Sequence, residues 1–113
     1  MNATYRVLGL IVAGVWIALV QAGSAAAQQG APIKVGAFVA MTGGATFLGD
    51  PQAKTLRQYV DKTNKSGGVM GRPLQLVLYD SQGDARQAVT LVRRLIESDK
   101  VDIIIGGTTT GET

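Results

Sequence analysis

The sequence predicts an α/β fold built on a parallel βαβαβ sheet. Three observations carry the prediction. Three apolar, β-rich runs alternate with two amphipathic stretches at helical spacing. The first run is nearly continuous in apolar residues, as in a strand buried on both faces. The 15 glycines among 113 residues fall mostly between these segments, where they mark turns.

Composition removes several function classes. With 46% hydrophobic and 17% charged residues, disorder is excluded as the main state. Cysteine and histidine are both absent. Thiolate zinc sites, iron–sulfur ligation and serine–histidine or cysteine–histidine pairs therefore cannot be built, and neither metal nor cofactor is expected. A net charge of +3 without basic clusters, and 5% aromatic residues, give no footing for nucleic acid.

The chain begins with an address. One arginine precedes an uninterrupted run of apolar residues and glycine over residues 7–20, shorter than the ~18–20 residues a bilayer span needs. Ala25-Ala26-Ala27 then fits the small-x-small cleavage rule. Residues 1–27 read as a signal peptide cut after Ala27, which makes the mature chain, residues 28–113, an exported periplasmic protein. No cysteine follows the apolar run, so no lipid is attached there.

The first strand is expected over residues 33–40, with Lys34 its one charge, followed by a loop over 41–49. A helix then starts with Asp50 as N-cap and Pro51 as first helical residue. Ala53, Leu56 and Val60 form its apolar stripe, with Tyr59 beside them, and Arg57 stands four residues before Asp61 as a surface pair. Its lysines read as a solvated outer face. Ser66-Gly67-Gly68 ends it. The second strand follows over residues 74–79, then a polar loop over 80–84 in which Asp84 caps a helix over 85–98. Ala88, Leu91, Val92, Leu95 and Ile96 are its buried stripe. The third strand covers residues 101–105. Beyond it, Thr109 and Glu112 have capping-box spacing, so a third helix should begin there.

This order implies right-handed crossovers and the strand order 2-1-3. The loops after strands one and three, residues 42–49 and 106–111, then flank the crevice where such sheets bind small ligands. Gly106-x4-Gly111 and Gly44-x4-Gly49 have the glycine spacing of a phosphate loop. Each is followed by a carboxylate where phosphate needs a cation, Glu112 in one and Asp50 in the other, so no nucleotide is expected. Asp80 and Asp84 could be paired acids, but the simpler assignment is that Asp84 caps the helix and Asp80 orders the turn. Thr108, Thr109 and Thr110 admit two readings: hydroxyls and amides that hold a small organic anion, or a plain helix cap.

Three segments carry a resemblance: IKVGAFVAMTGGATFLGD, NKSGGVMGRPLQLVLYDSQGD and ARQAVTLVRRLIESDKVDIIIGG. Over residues 33–113 the chain resembles the N-terminal part of periplasmic amino-acid-binding proteins of the leucine/isoleucine/valine type, the substrate-binding components of ABC importers. The resemblance implies an incomplete lobe one of a two-lobed type I periplasmic binding protein, with ligand in the cleft between lobes and ABC permease subunits as partners. It implies that Thr110 binds the carboxylate of an amino acid or related ligand, with Thr108 and Thr109 lining the site, and that Leu48, with Phe47 adjacent, supplies an apolar contact. It implies transport rather than catalysis. A ligand sensor on the same fold is the alternative. The triple threonine stands where the family often carries serines, and the residues that select the ligand side chain lie beyond Thr113.

Overall fold

The computed structural model describes residues 30–113, so the signal-peptide assignment and its cleavage after Ala27 lie outside the described residues. Three strands, β1 (Ile33–Val39), β2 (Leu74–Asp80) and β3 (Ile103–Gly106), form one sheet in the order β2-β1-β3. Both pairings are parallel, with Ile33 opposite Leu74 and Val35 opposite Ile103. The central strand is apolar because both its faces are covered. Phe38 packs with Ala88 and Leu95 in the main core. Its neighbour Val39 points the other way, beside Leu56 of the first helix. Leu95 is fully buried, worth ~1.5–3 kcal/mol.

The first helix, α1 (Thr46–Lys65), begins at Thr46 rather than at the expected Pro51, more than a turn early. Ala45 is the N-cap residue and makes no side-chain cap bond. The added turn is held from within: the Thr46 hydroxyl donates to the Gly43 carbonyl at 2.6 Å, and the Leu48 and Gly49 amides both donate to Ala45. Gly49 permits this, because a Cβ there would stand 2.0 Å from the Ala40 carbonyl oxygen. Pro51 is thus inside the helix rather than at its first position. Asp50 pairs with Lys54 at 2.7 Å, and Asp61 pairs with Lys65 rather than with Arg57. Ala53 is buried and Leu56 and Val60 half-buried, while Tyr59 is largely exposed. At the far end the Asn64 side chain brackets the start of β2, donating to the Leu74 carbonyl and accepting from its amide.

The second helix, α2 (Ala85–Glu97), starts where its cap predicts. Asp84 accepts from the Gln87 amide at 2.8 Å. Ala88, Leu91, Val92 and Leu95 turn inward, but Ile96 is 56% exposed and leaves the predicted stripe. Tyr79 ties β2 to the end of α2: its hydroxyl donates to Asp99 at 2.9 Å and its ring lies under Arg94. The third strand starts two residues later than expected. Val101 packs into the core with its amide on the Leu95 carbonyl, and Asp102 brackets Lys34 before the ladder begins. Where a third helix is expected to begin, residues Thr110–Glu112 form a 3-10 turn.

Candidate functional site

The carboxyl ends of β1 and β3 lie side by side, with Phe38 opposite Gly106. Here the crossover from β1 runs to one side and the chain returns to β3 on the other, leaving a crevice between the loops that follow. Both predicted loops are at this end.

Beyond Val39 the backbone leaves the sheet and its amides need new acceptors. On the β3 side, the Ala40 amide donates to the Thr108 hydroxyl oxygen at 2.8 Å, and that hydroxyl donates to the Gln52 side chain, also at 2.8 Å. Thr108 therefore joins both loops to α1. On the β2 side, the Asp80 carboxylate accepts from the Met41 amide (2.9 Å), the Thr42 amide (3.2 Å), the Thr42 hydroxyl (2.5 Å) and the Gln82 amide (2.9 Å). Gly43 follows with φ +86°, so close to the Gln82 carbonyl that a Cβ would stand 2.7 Å away. Burial pushes the Asp80 carboxyl up, but these four donors override it and hold the group below its ordinary value.

The third loop is braced by Glu112. This buried carboxylate accepts from both the amide and the hydroxyl of Thr109, each at 2.8 Å. The predicted Thr109–Glu112 spacing is thus realised, with the glutamate reaching back across a single 3-10 turn. Burial again acts upward on the Glu112 carboxyl, and the neighbouring Ser81 hydroxyl and Thr109 pull it below its usual value. Both Thr109 bonds fall on Oε2, and the buried Oε1 has no hydrogen-bond partner among the described residues.

The five predicted site residues separate by what their side chains already do. The Thr108 and Thr109 hydroxyls are engaged within the fold. Thr110 is exposed, and its hydroxyl makes no hydrogen bond among the described residues; only its carbonyl is used, by the Thr113 hydroxyl. Phe47 and Leu48 sit on the first turn of α1 rather than in a loop, 74% and 46% exposed. None of the five lines the hollow of about 430 Å³ beside them, which opens between α1 and the ends of β1 and β3 and is walled by Val39, Pro51, Gln52, Thr55, Leu56, Ile105, Gly106 and Gly107. Gln52 was invisible to sequence reasoning, being one polar residue on a polar helix face. Asp80 had a signal, an aspartate closing an apolar run before Ser-Gln-Gly, but nothing local showed that it reaches the neighbouring loop.

Chemically this end of the sheet offers hydroxyls, amides and an exposed apolar turn. Its carboxylates Asp80, Asp84 and Glu112 are each committed to internal donors. That places Asp84 as a helix cap and Asp80 as a loop anchor rather than as paired acids.

A family model of periplasmic binding proteins matches residues 32–113. The chain belongs to that family. Among curated relatives, Leu/Ile/Val-binding protein homolog 7 of Brucella abortus (strain 2308) is 38% identical over 95 residues, which cover 84% of this chain and 23% of the relative. Among solved structures, the branched-chain amino acid transporter substrate binding protein LivJ from Streptococcus pneumoniae, in complex with isoleucine, matches with a TM-score of 0.70 at 26% identity, over 72% of this chain and 23% of that one. A type 1 periplasmic binding protein from Bordetella pertussis Tohama I matches with a TM-score of 0.67 at 27% identity, over 72% of this chain and 22% of that one. This periplasmic binding protein chain therefore spans under a quarter of the length of these relatives. Its parallel β2-β1-β3 sheet with flanking helices belongs to the type I periplasmic binding protein fold.

Proposed function

We propose that residues 28–113, freed of a leader at Ala27, form the N-terminal part of an exported two-lobed protein that captures an amino acid or related small carboxylate and delivers it to ABC permease subunits. The role is binding, with no bond made. The observation that carries the reading is Thr110: an exposed hydroxyl without a partner among the described residues, in the loop after β3, where the Thr108 and Thr109 hydroxyls are already engaged within the fold. In this reading the Thr110 hydroxyl donates to the ligand carboxylate while Phe47 and Leu48 offer apolar surface. Thr108 and Thr109 line the site by shaping its backbone. The names of the relatives, a Leu/Ile/Val-binding protein homolog and a branched-chain amino acid transporter substrate binding protein in complex with isoleucine, support the ligand class.

A hydrogen bond to a charged group is worth ~1.5–3 kcal/mol. In the full-length protein carrying this segment, Thr110→Ala therefore weakens binding roughly ten- to a hundredfold, at ~1.4 kcal/mol per decade. Thr110→Ser keeps the donor and costs much less, whereas Thr110→Val keeps the shape and behaves like alanine. Calorimetric titration with L-leucine, L-isoleucine and L-valine, with thermal melts alongside, checks this. A valine variant that binds like wild type removes Thr110 from the site.

A further inference from the structure

We propose that Asp80 is a positioning residue for this cleft: its carboxylate fixes the segment leaving β1 and thereby the turn that presents Phe47 and Leu48. The inference rests on the reading above, that this turn faces a ligand.

Asp80 is the last residue of β2 and stands opposite Val39, the last residue of β1. An aspartate that only closed its own turn would need one bond, the one its Oδ1 accepts from the Gln82 amide. The other three bonds go to a different loop, to Met41 and Thr42, whose amides have left the strand ladder. Both carboxylate oxygens are used, Oδ1 by three amides and Oδ2 by the Thr42 hydroxyl. Thr108 holds the preceding Ala40 amide from the β3 side. The exit of β1 is therefore pinned from both neighbouring strands. One residue later Gly43 turns against Gln82, and its carbonyl receives the Thr46 hydroxyl that opens α1.

The close approach of Gly49 to Ala40 seats the turn on β1, but Phe47 itself is 74% exposed and gains little order from its own packing. An exposed aromatic contributes to binding in proportion to how little it must be ordered when the ligand arrives. Asp80 supplies that order in advance, without touching Phe47, Leu48 or the ligand.

The test uses the full-length protein titrated with L-leucine, L-isoleucine and L-valine. Asp80→Ala should weaken the best-bound of the three at least about tenfold. Thr42→Val, which removes only the hydroxyl, should weaken it a few-fold, and Thr42→Ser should restore it. Because both side chains act through one contact, the double variant Asp80→Ala/Thr42→Val should bind no worse than Asp80→Ala alone. Asp84→Ala serves as the stability control: it removes a cap on the same loop and should lower the melting temperature while leaving affinity intact. Wild-type affinity in Asp80→Ala, or equal weakening in Asp84→Ala, overturns the inference. If Thr110→Val binds normally while Asp80→Ala does not, the carboxylate assignment falls and the positioning role stands. A wild type that binds none of the three amino acids overturns the ligand class and the role of Asp80 with it.

Discussion

The two helices of this lobe begin in opposite ways. At the start of α2, Asp84 accepts from the Gln87 amide, and the helix begins where that cap stands. At the start of α1, the residues that look like a cap, Asp50 and Pro51, are already inside the helix, and the true N-cap residue, Ala45, has no capping side chain. The difference is one of location. The first turn of α2 is closed by its own side chains. The first turn of α1 is closed by contact with the end of the central strand, through Gly49 against Ala40 and through a loop anchored on Asp80. A helix end defined locally is fixed by a few neighbouring residues. The start of α1, at the crevice, is fixed instead by residues of other elements, Ala40 at the end of β1 and Asp80 at the end of β2.

The largest expected effect comes from breaking the contact between α1 and the end of β1. Alanine is ordinarily the better helix residue, favoured over glycine by about 1 kcal/mol. At Gly49 the sign should reverse, because the added Cβ would meet the Ala40 carbonyl oxygen at 2.0 Å, a backbone atom that cannot swing aside. Gly49→Ala should therefore destabilise the protein by about 3 kcal/mol or more, the upper end for an overpacked site. Denaturant unfolding of the full-length protein measures it. A neutral or stabilised alanine variant would show that the start of α1 is not pressed against β1.

Smaller, and confined to α2, is the loss of the local cap. Asp84→Ala leaves the Gln87 amide without its acceptor and should cost ~1 kcal/mol. Amide exchange should speed up in the first turn of α2 and not in α1. The contrast also explains what was legible in the sequence. The cap of α2 and the glycine stop of α1 follow from signals a few residues long, the parallel strand order from the alternation of strands and helices, and all are realised. The starts of α1 and β3 depend on partners outside the element itself, Ala40 at the end of β1 for Gly49 and Lys34, far away in sequence, for Asp102, and were misplaced. The candidate site divides along the same line. The loops that carry it follow from topology. That Thr108 is occupied by Ala40 and Gln52, and Thr109 by Glu112, while Thr110 is left open, depends on side-chain contacts that spacing alone does not distinguish.

The smallest effect is the most discriminating, because two accounts of the same residue predict different outcomes. If α1 began at Asp50, replacing it with alanine would remove a cap and cost ~1 kcal/mol. In the observed helix Asp50 has only an exposed ion pair with Lys54 at 2.7 Å, four residues on. Such pairs contribute ~0.2–0.5 kcal/mol and weaken with salt. Asp50→Ala should therefore barely shift the unfolding midpoint, and Lys54→Ala should shift it as little. The double variant should cost no more than either single one, and the shift should vanish at high salt. Exchange of the Gln52 and Ala53 amides should be unchanged, since in a helix that starts at Thr46 these positions are not its first turn. Loss of protection at those two amides in Asp50→Ala would move the start of α1 to Asp50 and detach Phe47 and Leu48 from the helix that presents them.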